Sequence, residues 1–159
     1  MLALFVSITQ TRILSQEKHA SVWPHLQIGQ GWDAKNGAYS LTVSNSGIGP
    51  AIIQDAEFHY QDTVFTTIQG FLTYVSKKEN LSFDVTHNNI EYMNVIPEGD
   101  VRNLIKIKED SLAAETVIRY RGNLDVIINY CSIYGKCWQL KDSSTKKTKL
   151  KSKFKNLIY

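Results

Sequence analysis

Residues 38–45, AYSLTVSN, set Tyr39, Leu41 and Val43 against Ser40, Thr42 and Ser44. Successive side chains of a strand point to opposite faces, so this alternation buries one face of a sheet and wets the other. The pattern recurs. AIIQDAEFHY places Ile52, Ala56 and Phe58 among polar neighbours, and VRNLIKIKED, AAETVIRYRG, LDVIINYCSIYG and CWQLKD follow as four further strand-like runs. Turn signals separate them about every ten residues, with Pro97-Glu98-Gly99-Asp100 as a proline-led turn and RGNLD and IYGKC as hairpin turns. No helix–strand alternation and no internal repeat occur, which argues against a doubly wound α/β fold. The expected architecture is an all-β antiparallel sandwich of roughly seven to eight strands.

Two stretches depart from the period of two. Leu2 to about Ala20 contains neither Gly nor Pro and carries Leu4, Ile8 and Leu14 at helix-compatible spacing. Residues 63–78 repeat apolar side chains at Phe65, Ile68, Leu72 and Val75, which predicts one short internal helix closed by lysines and weakened by Gly70. Pro24 restricts Trp23 to an extended conformation, so Val22–Ile28 leads into a strand and GQGWDAKNG is a glycine-punctuated loop after it.

The stretch NSGIGP at 45–50 is the one sequence that invites a ligand. It contains G-x-G, but lacks the third glycine of a dinucleotide fingerprint and the Gly-Lys-Ser/Thr of a P-loop. Pro50 removes an N–H where a phosphate cradle needs donors, and a strand follows instead of a helix. A structural turn is expected.

The other chemistries fare no better. His19, His25, His59 and His87 show no metal-ligand spacing; His59 lies near Glu57 and Asp62, and on a strand Glu57 and His59 share one face, which a solvent-facing polar surface explains as well as a Glu–His site. No serine lies in G-x-S-x-G. Trp23, Trp32, Tyr39, Tyr130, Tyr134 and Trp138 suit sheet core and surface better than a ligand cleft. Cys131 and Cys137 are too few for a disulfide scaffold and match neither a redox nor a zinc motif. A tight hairpin would bring them within bonding reach, but the expectation is that they stay reduced.

Charge divides the chain. Residues 1–140 carry 11 Lys or Arg against 14 Asp or Glu, whereas 141–159 carry seven Lys against Asp142 alone. The body is mildly acidic and the end is basic. Lys147, Lys149, Lys151, Lys153 and Lys155 alternate, so an extended chain lines them along one side, with Lys146 beside them. Such a segment suits a solvated end, anionic lipid or nucleic acid. Each lysine contributes about 1 kcal/mol near an anionic membrane, and Phe154, Leu157 and Ile158 would add apolar insertion. An acidic body without aromatic–basic interleaving speaks against nucleic acid.

At the other end, MLALFVSI is uncharged and mostly apolar. It is too short to span a bilayer, which takes roughly 20 apolar residues. It reads either as the last turns of a transmembrane helix or as a short amphipathic helix on the domain, with Arg12 and Lys18 favouring the first.

The order of an apolar helix end, QTRILSQEKHASVWPHLQI, LTVSNSGIGPAII, VIPEGD and IINYCSIYGKCW resembles a loose group of uncharacterised bacterial membrane-anchored proteins over about residues 1–140. Its most specific element is N-x-G-x-G-P-A followed by an apolar strand. The resemblance implies N-terminal transmembrane helices carrying a small immunoglobulin-like β-sandwich, with no activity and no catalytic residues to transfer. This chain departs from the group by opening on the last turns of a helix and by its lysine-rich end.

Together these features predict an immunoglobulin-like sandwich over 21–142, an N-terminal helix over 1–20 and a lysine-rich segment over 143–159. The expected role is a non-enzymatic binding or interaction domain of a bacterial inner-membrane protein. Its soluble part is expected on the cytoplasmic side, with a membrane surface and a protein as partners and no cofactor or metal. Lys146, Lys147, Lys149, Lys151, Lys153 and Lys155 are the candidate membrane or anion contacts. The alternative is a sensor or effector domain that binds a small anionic ligand or nucleic acid through basic side chains.

Overall fold

The computed structural model describes residues 6–14, 22–142 and 144–148. A helix, α1, covers 6–14. Ten strands follow: β1 (Leu26–Asp33), β2 (Ala38–Asn45), β3 (Ala51–Tyr60), β4 (Thr63–Phe65), β5 (Val85–His87), β6 (Val95–Ile96), β7 (Val101–Ile107), β8 (Leu124–Cys131), β9 (Cys137–Lys141) and β10 (Ser144–Thr148). Helix α2 (Ile68–Glu79) lies between β4 and β5, and α3 (Ser111–Arg121) between β7 and β8.

The strands form two sheets in which every pairing is antiparallel. One runs β1-β2-β7-β5 and the other β10-β9-β8-β3-β4, with β6 beside the start of β3. The result is a β-sandwich. Its core is one cluster drawn from both sheets and from α2 and α3, including Leu41, Val43, Ile53, Phe58, Phe71, Val75, Ile105, Val117, Val126 and Ile128. The alternation that marked β2 is real: Tyr39, Leu41 and Val43 are buried and Ser40, Thr42 and Ser44 are not. Tyr130 on β8 accepts the Leu26 backbone N–H at 3.3 Å and so ties the second sheet to the start of β1.

Four expectations need correction. AAETVIRYRG does not form a strand; its residues belong to α3, so the chain has two internal helices. Asp110 caps α3 by accepting the Ala113 N–H, and Ala113, Ala114, Val117 and Tyr120 recur on one buried face. That helical stripe outweighs the β-propensity of Val117, Ile118 and Tyr120. The glycine-punctuated GQGWD is strand, not loop, because β1 pairs with β2 as far as Asp33 opposite Ala38. The internal helix begins at Ile68, capped by Thr67, after residues 63–65 have paired with β3 as β4. Cys131 and Cys137 form a disulfide instead of staying reduced. They face each other directly across the β8–β9 hairpin.

Helices α2 and α3 close one end of the sandwich. There Tyr60 at the end of β3 stacks on Tyr120 of α3 at 5.5 Å between centroids and tilts against Phe71 and Tyr74 of α2. Lys78 Nζ lies 3.2 Å from the Tyr74 hydroxyl and over these rings. Among the described residues the opposite end is formed by loops and the short β6.

Candidate functional site

The loop end gathers the segment 22–25, the 46–50 turn, the 97–100 turn and the 132–136 hairpin loop. Asn45, at the end of β2, holds the first three of these together while only 1% exposed. Its Oδ1 accepts the backbone N–H groups of His25 (3.1 Å) and Gly47 (3.2 Å). Its Nδ2 donates to the carbonyls of Gly49 (2.8 Å) and Ile96 (3.0 Å). Both donors and both acceptor sites of the amide are used, so its burial carries no desolvation penalty. The Asn45 backbone is also paired, donating to Asp100 O and accepting from Gly99 N.

These contacts settle the NSGIGP question by counting donors. Ser46 N–H donates to His25 O, Gly47 N–H to Asn45, Ile48 N–H to Trp23 O, and Gly49 N–H to a Glu98 carboxylate oxygen at 3.3 Å. Pro50 has none to give. No N–H of the turn is left for a phosphate, and the acceptor at Gly49 is itself an anion. The glycines serve fit: a Cβ at Gly47 would overlap the His25 nitrogen and Trp23 oxygen, and Gly49 has a φ of +90°.

Large apolar side chains are exposed at this end. Trp23 is 50% exposed, Ile48 59%, Ile133 52% and Tyr134 40%. Trp23 and Ile48 are neighbours through their backbone hydrogen bond at 2.9 Å. Ile133 and Tyr134 follow β8, whose Cys131 lies opposite Ile52 near the start of β3. The disulfide fixes their loop across a separation of six residues. A loop this short gives about 2 kcal/mol by restricting the unfolded chain. Reduction should therefore lower stability by about 2 kcal/mol while unfolding stays cooperative, which denaturant titrations with and without reductant will measure.

The chain also enters and leaves here. It reaches the sandwich at Val22, beside Gly49. Strand β10 runs back along β9, from Ser144 opposite Lys141 to Thr148 opposite Cys137, so Thr148 lies at the loop end. Of the six lysines named from sequence, Lys146 and Lys147 lie on β10, opposite Gln139 and Trp138 respectively, and both are exposed. Adjacent positions place them on opposite faces of the sheet. Lys149, Lys151, Lys153 and Lys155 lie outside the described residues. No residue of β10 is buried.

The remaining candidates do not converge. His59 Nε2 and Glu57 Oε2 are 2.7 Å apart, but their side chains are 35% and 46% exposed. Such a pair is a solvated surface contact. Among the described residues no group of three His, Cys, Asp or Glu side chains is placed to hold a metal. A polar cleft of about 600 Å³ is lined by His87, Asn88, Asn89, Glu91, Asn94 and Arg102 among others. Arg102 there is engaged by Asp100 at 3.1 Å and by Val95 O at 2.7 Å. The six aromatics named above scatter: Trp23 and Tyr134 lie at the loop end, Trp32 is exposed near the far end of β1, and Tyr39 is buried. Trp138 stacks on Tyr130 at 5.8 Å.

The tyrosines do have a consequence for pH. Burial pushes the phenols of Tyr39 and Tyr130 up, and the bond that Tyr120 donates to Glu79 raises its phenol too. Lys78 is raised by its bond to Tyr74, and Lys141 by its bond to Asp125. Each raised group favours its protonated form in the folded state. Their stabilisation is complete below the ordinary tyrosine value of 10.0 and is lost as pH rises through the higher folded values. The denaturant midpoint should be flat from about pH 7 to 9 and fall steadily from about pH 10 upward.

No family model, no curated protein and no solved structure matches the chain.

Proposed function

We propose that this chain is a non-enzymatic binding and interaction domain, immunoglobulin-like in topology, held at a bacterial membrane surface through its N-terminal segment. The observation that carries the attachment is α1. All nine of its described residues are exposed, and Val6, Ile8, Ile13 and Leu14 are left uncovered by the sandwich. Exposed apolar side chains on a helix outside the core suit another apolar environment. Among the described residues no helix is long and apolar enough to cross a membrane, so the proposal is one of attachment and leaves the mode of insertion open.

The strand order supports the immunoglobulin-like part. An immunoglobulin domain carries strands A-B-E-D in one sheet and G-F-C, extended by C′, in the other. Here β1-β2-β7-β5 and β9-β8-β3-β4 occupy the same sequence-to-space order, with the chain crossing between sheets after β2, after β4, on both sides of β6 and after β7. Three features depart from that pattern. The disulfide joins the F-like and G-like strands, α2 and α3 fill crossovers, and β10 is added beyond the G-like strand. A partner would meet exposed edges and loops. Strand β1 lies at an edge with only Leu26 buried, a suitable template for an added strand.

The disulfide supports the oxidising face of the membrane over the cytoplasmic side expected from the lysines. The positive-inside tendency acts within about 15–20 residues of a span, and Lys149 is far along the chain from α1.

Binding of an anionic ligand or nucleic acid has weaker support. Arg102, Arg119, Arg121 and Lys141 already face Asp100, Glu79, Asp142 and Asp125. Flotation of the full chain with phospholipid vesicles tests the proposal. The chain is expected to co-float, and a variant with Ile8→Asp and Leu14→Asp is expected to lose most of that binding. Failure of the full chain to float would overturn it.

A further inference from the structure

We infer that the open edge of β1 is an interface with a second copy of this chain, in which two β1 strands pair antiparallel about a two-fold axis at Gln30. The pairing would join two four-stranded sheets into one continuous sheet. The inference deepens the interaction role proposed above by naming the partner at β1, and it stands apart from the membrane attachment. Its basis is which backbone groups β1 leaves open and how its sequence matches itself.

The ladder fixes the open groups. In an antiparallel pair, alternate residues exchange both hydrogen bonds with the neighbour, and those between them point N–H and C=O the other way. Ser46 N–H donates to His25 O and Ile48 N–H to Trp23 O, each at 2.9 Å. The same register continues along β1 opposite β2. Gln27, Gly29, Gly31 and Asp33 therefore bond β2, whereas Leu26, Ile28, Gln30 and Trp32 turn their backbone to the open edge. Leu26 agrees, because its N–H donates to the Tyr130 hydroxyl of the other sheet. Among the described residues no hydrogen bond reaches the backbone of Ile28, Gln30 or Trp32 from that side.

The other strand edges are blunted in ways that block such pairing. β4, β5 and β6 have only two or three residues each, and β10 carries Lys146 and Lys147. β1 has eight residues, contains neither Pro nor Lys, and pairs with β2 without a bulge. Its one charge is Asp33, at the end of the strand.

The strand also matches itself. With Gln30 opposite Gln30 of the second copy, Ile28 opposes the second copy's Trp32, and Trp32 opposes its Ile28. Each of these pairs joins two outward-facing residues, so each can exchange two backbone hydrogen bonds. Ile28 and Trp32 share the face that carries Leu26, and Trp32 is 58% exposed while Ile28 is half-buried. Each tryptophan would cover the other copy's isoleucine, a favourable aromatic–β-branched cross-strand pair. On the opposite face Gly29 meets Gly31 and Gln27 meets Asp33, so no bulky pair and no like charges are opposed. An unrelated strand could supply the hydrogen bonds, but a second copy supplies this whole matched set.

Sedimentation of the full chain carrying Ile8→Asp and Leu14→Asp tests the interface, because those changes remove association through α1. A concentration-dependent dimer is expected. Gln30→Lys alone, or Gln30→Glu alone, sets like charges across the axis and should weaken the dimer at least about tenfold. Mixing the two variants should restore dimer formation, since position 30 opposes position 30. Gln30 is exposed, so both variants should keep the parent denaturant midpoint. A chain that stays monomeric, leaving β1 to some other strand, would overturn the inference. So would a dimer indifferent to charge at position 30, or one that does not recover on mixing. Vesicle flotation is read separately on the chain with its native α1, so loss of the dimer and loss of attachment are distinguishable.

Discussion

Replacing Asn45 with alanine is expected to lower stability by about 3 kcal/mol, among the largest effects of any single polar substitution in this chain. The side chain is almost completely buried and makes four hydrogen bonds, two in each direction. Removing it strands two N–H groups and two carbonyls in a place where water has little access, and each such group carries a penalty of about 1 kcal/mol or more. The near-isosteric change Asn45→Asp is expected to fail as well. A carboxylate accepts from His25 and Gly47, but it presents an oxygen to the Gly49 and Ile96 carbonyls and buries a charge. Denaturant titration measures the loss. Hydrogen exchange should localise it, with the 22–25 and 46–50 amides losing protection before those of β8.

Gly47→Ala is expected to lower stability by about 3 kcal/mol as well, for a steric reason. The new methyl would point into the backbone of Trp23, Pro24 and His25, which cannot rotate away as a flexible side chain could. Gly99 supplies the internal comparison. Its φ is +75° and a Cβ there meets nothing within 4 Å, so Gly99→Ala should show only the left-handed backbone penalty, about 1 kcal/mol. The contrast is what matters: equal losses at the two positions would contradict close backbone contact at Gly47.

Much of the sandwich was legible because burial has the period of the strand. In β2 and β8 the alternation survives folding unchanged, since one face meets the core and the other meets water. Helix α3 was illegible to the same test. AAETVIRYR carries Val117, Ile118 and Tyr120, good strand formers, and its helical stripe at Ala113, Ala114, Val117 and Tyr120 begins with two small residues that weigh little by hydrophobicity. The Asp110 cap was the readable sign. GQGWD misled for the opposite reason: its glycines suggest a loop, but Gly29 and Gly31 sit in paired strand across from Thr42 and Ser40.

The candidate site was legible only in fragments. Pro50 and the following strand sufficed to reject a phosphate cradle, yet nothing local says that Trp23 pairs with Ile48 or that Asn45 spans three segments. The disulfide depended on register. Cys131 and Cys137 meet because the intervening loop closes over Ser132–Lys136, with Ser132 N–H donating to Lys136 O at 2.8 Å. A shift of one residue would turn the two sulfurs to opposite faces. Strand β10 was hidden by its composition, since STKKT has no apolar side chain and no buried face to set a period.

That strand adds an outer edge to the second sheet and brings Thr148 beside Cys137 at the loop end. Interstrand backbone NOEs measured on the full chain test it most directly. The account predicts contacts between Thr148 and Cys137 and between Lys146 and Gln139, in antiparallel register. If residues 144–148 show no contact with β9, or pair with it in parallel, the sheet order β10-β9-β8-β3-β4 is contradicted.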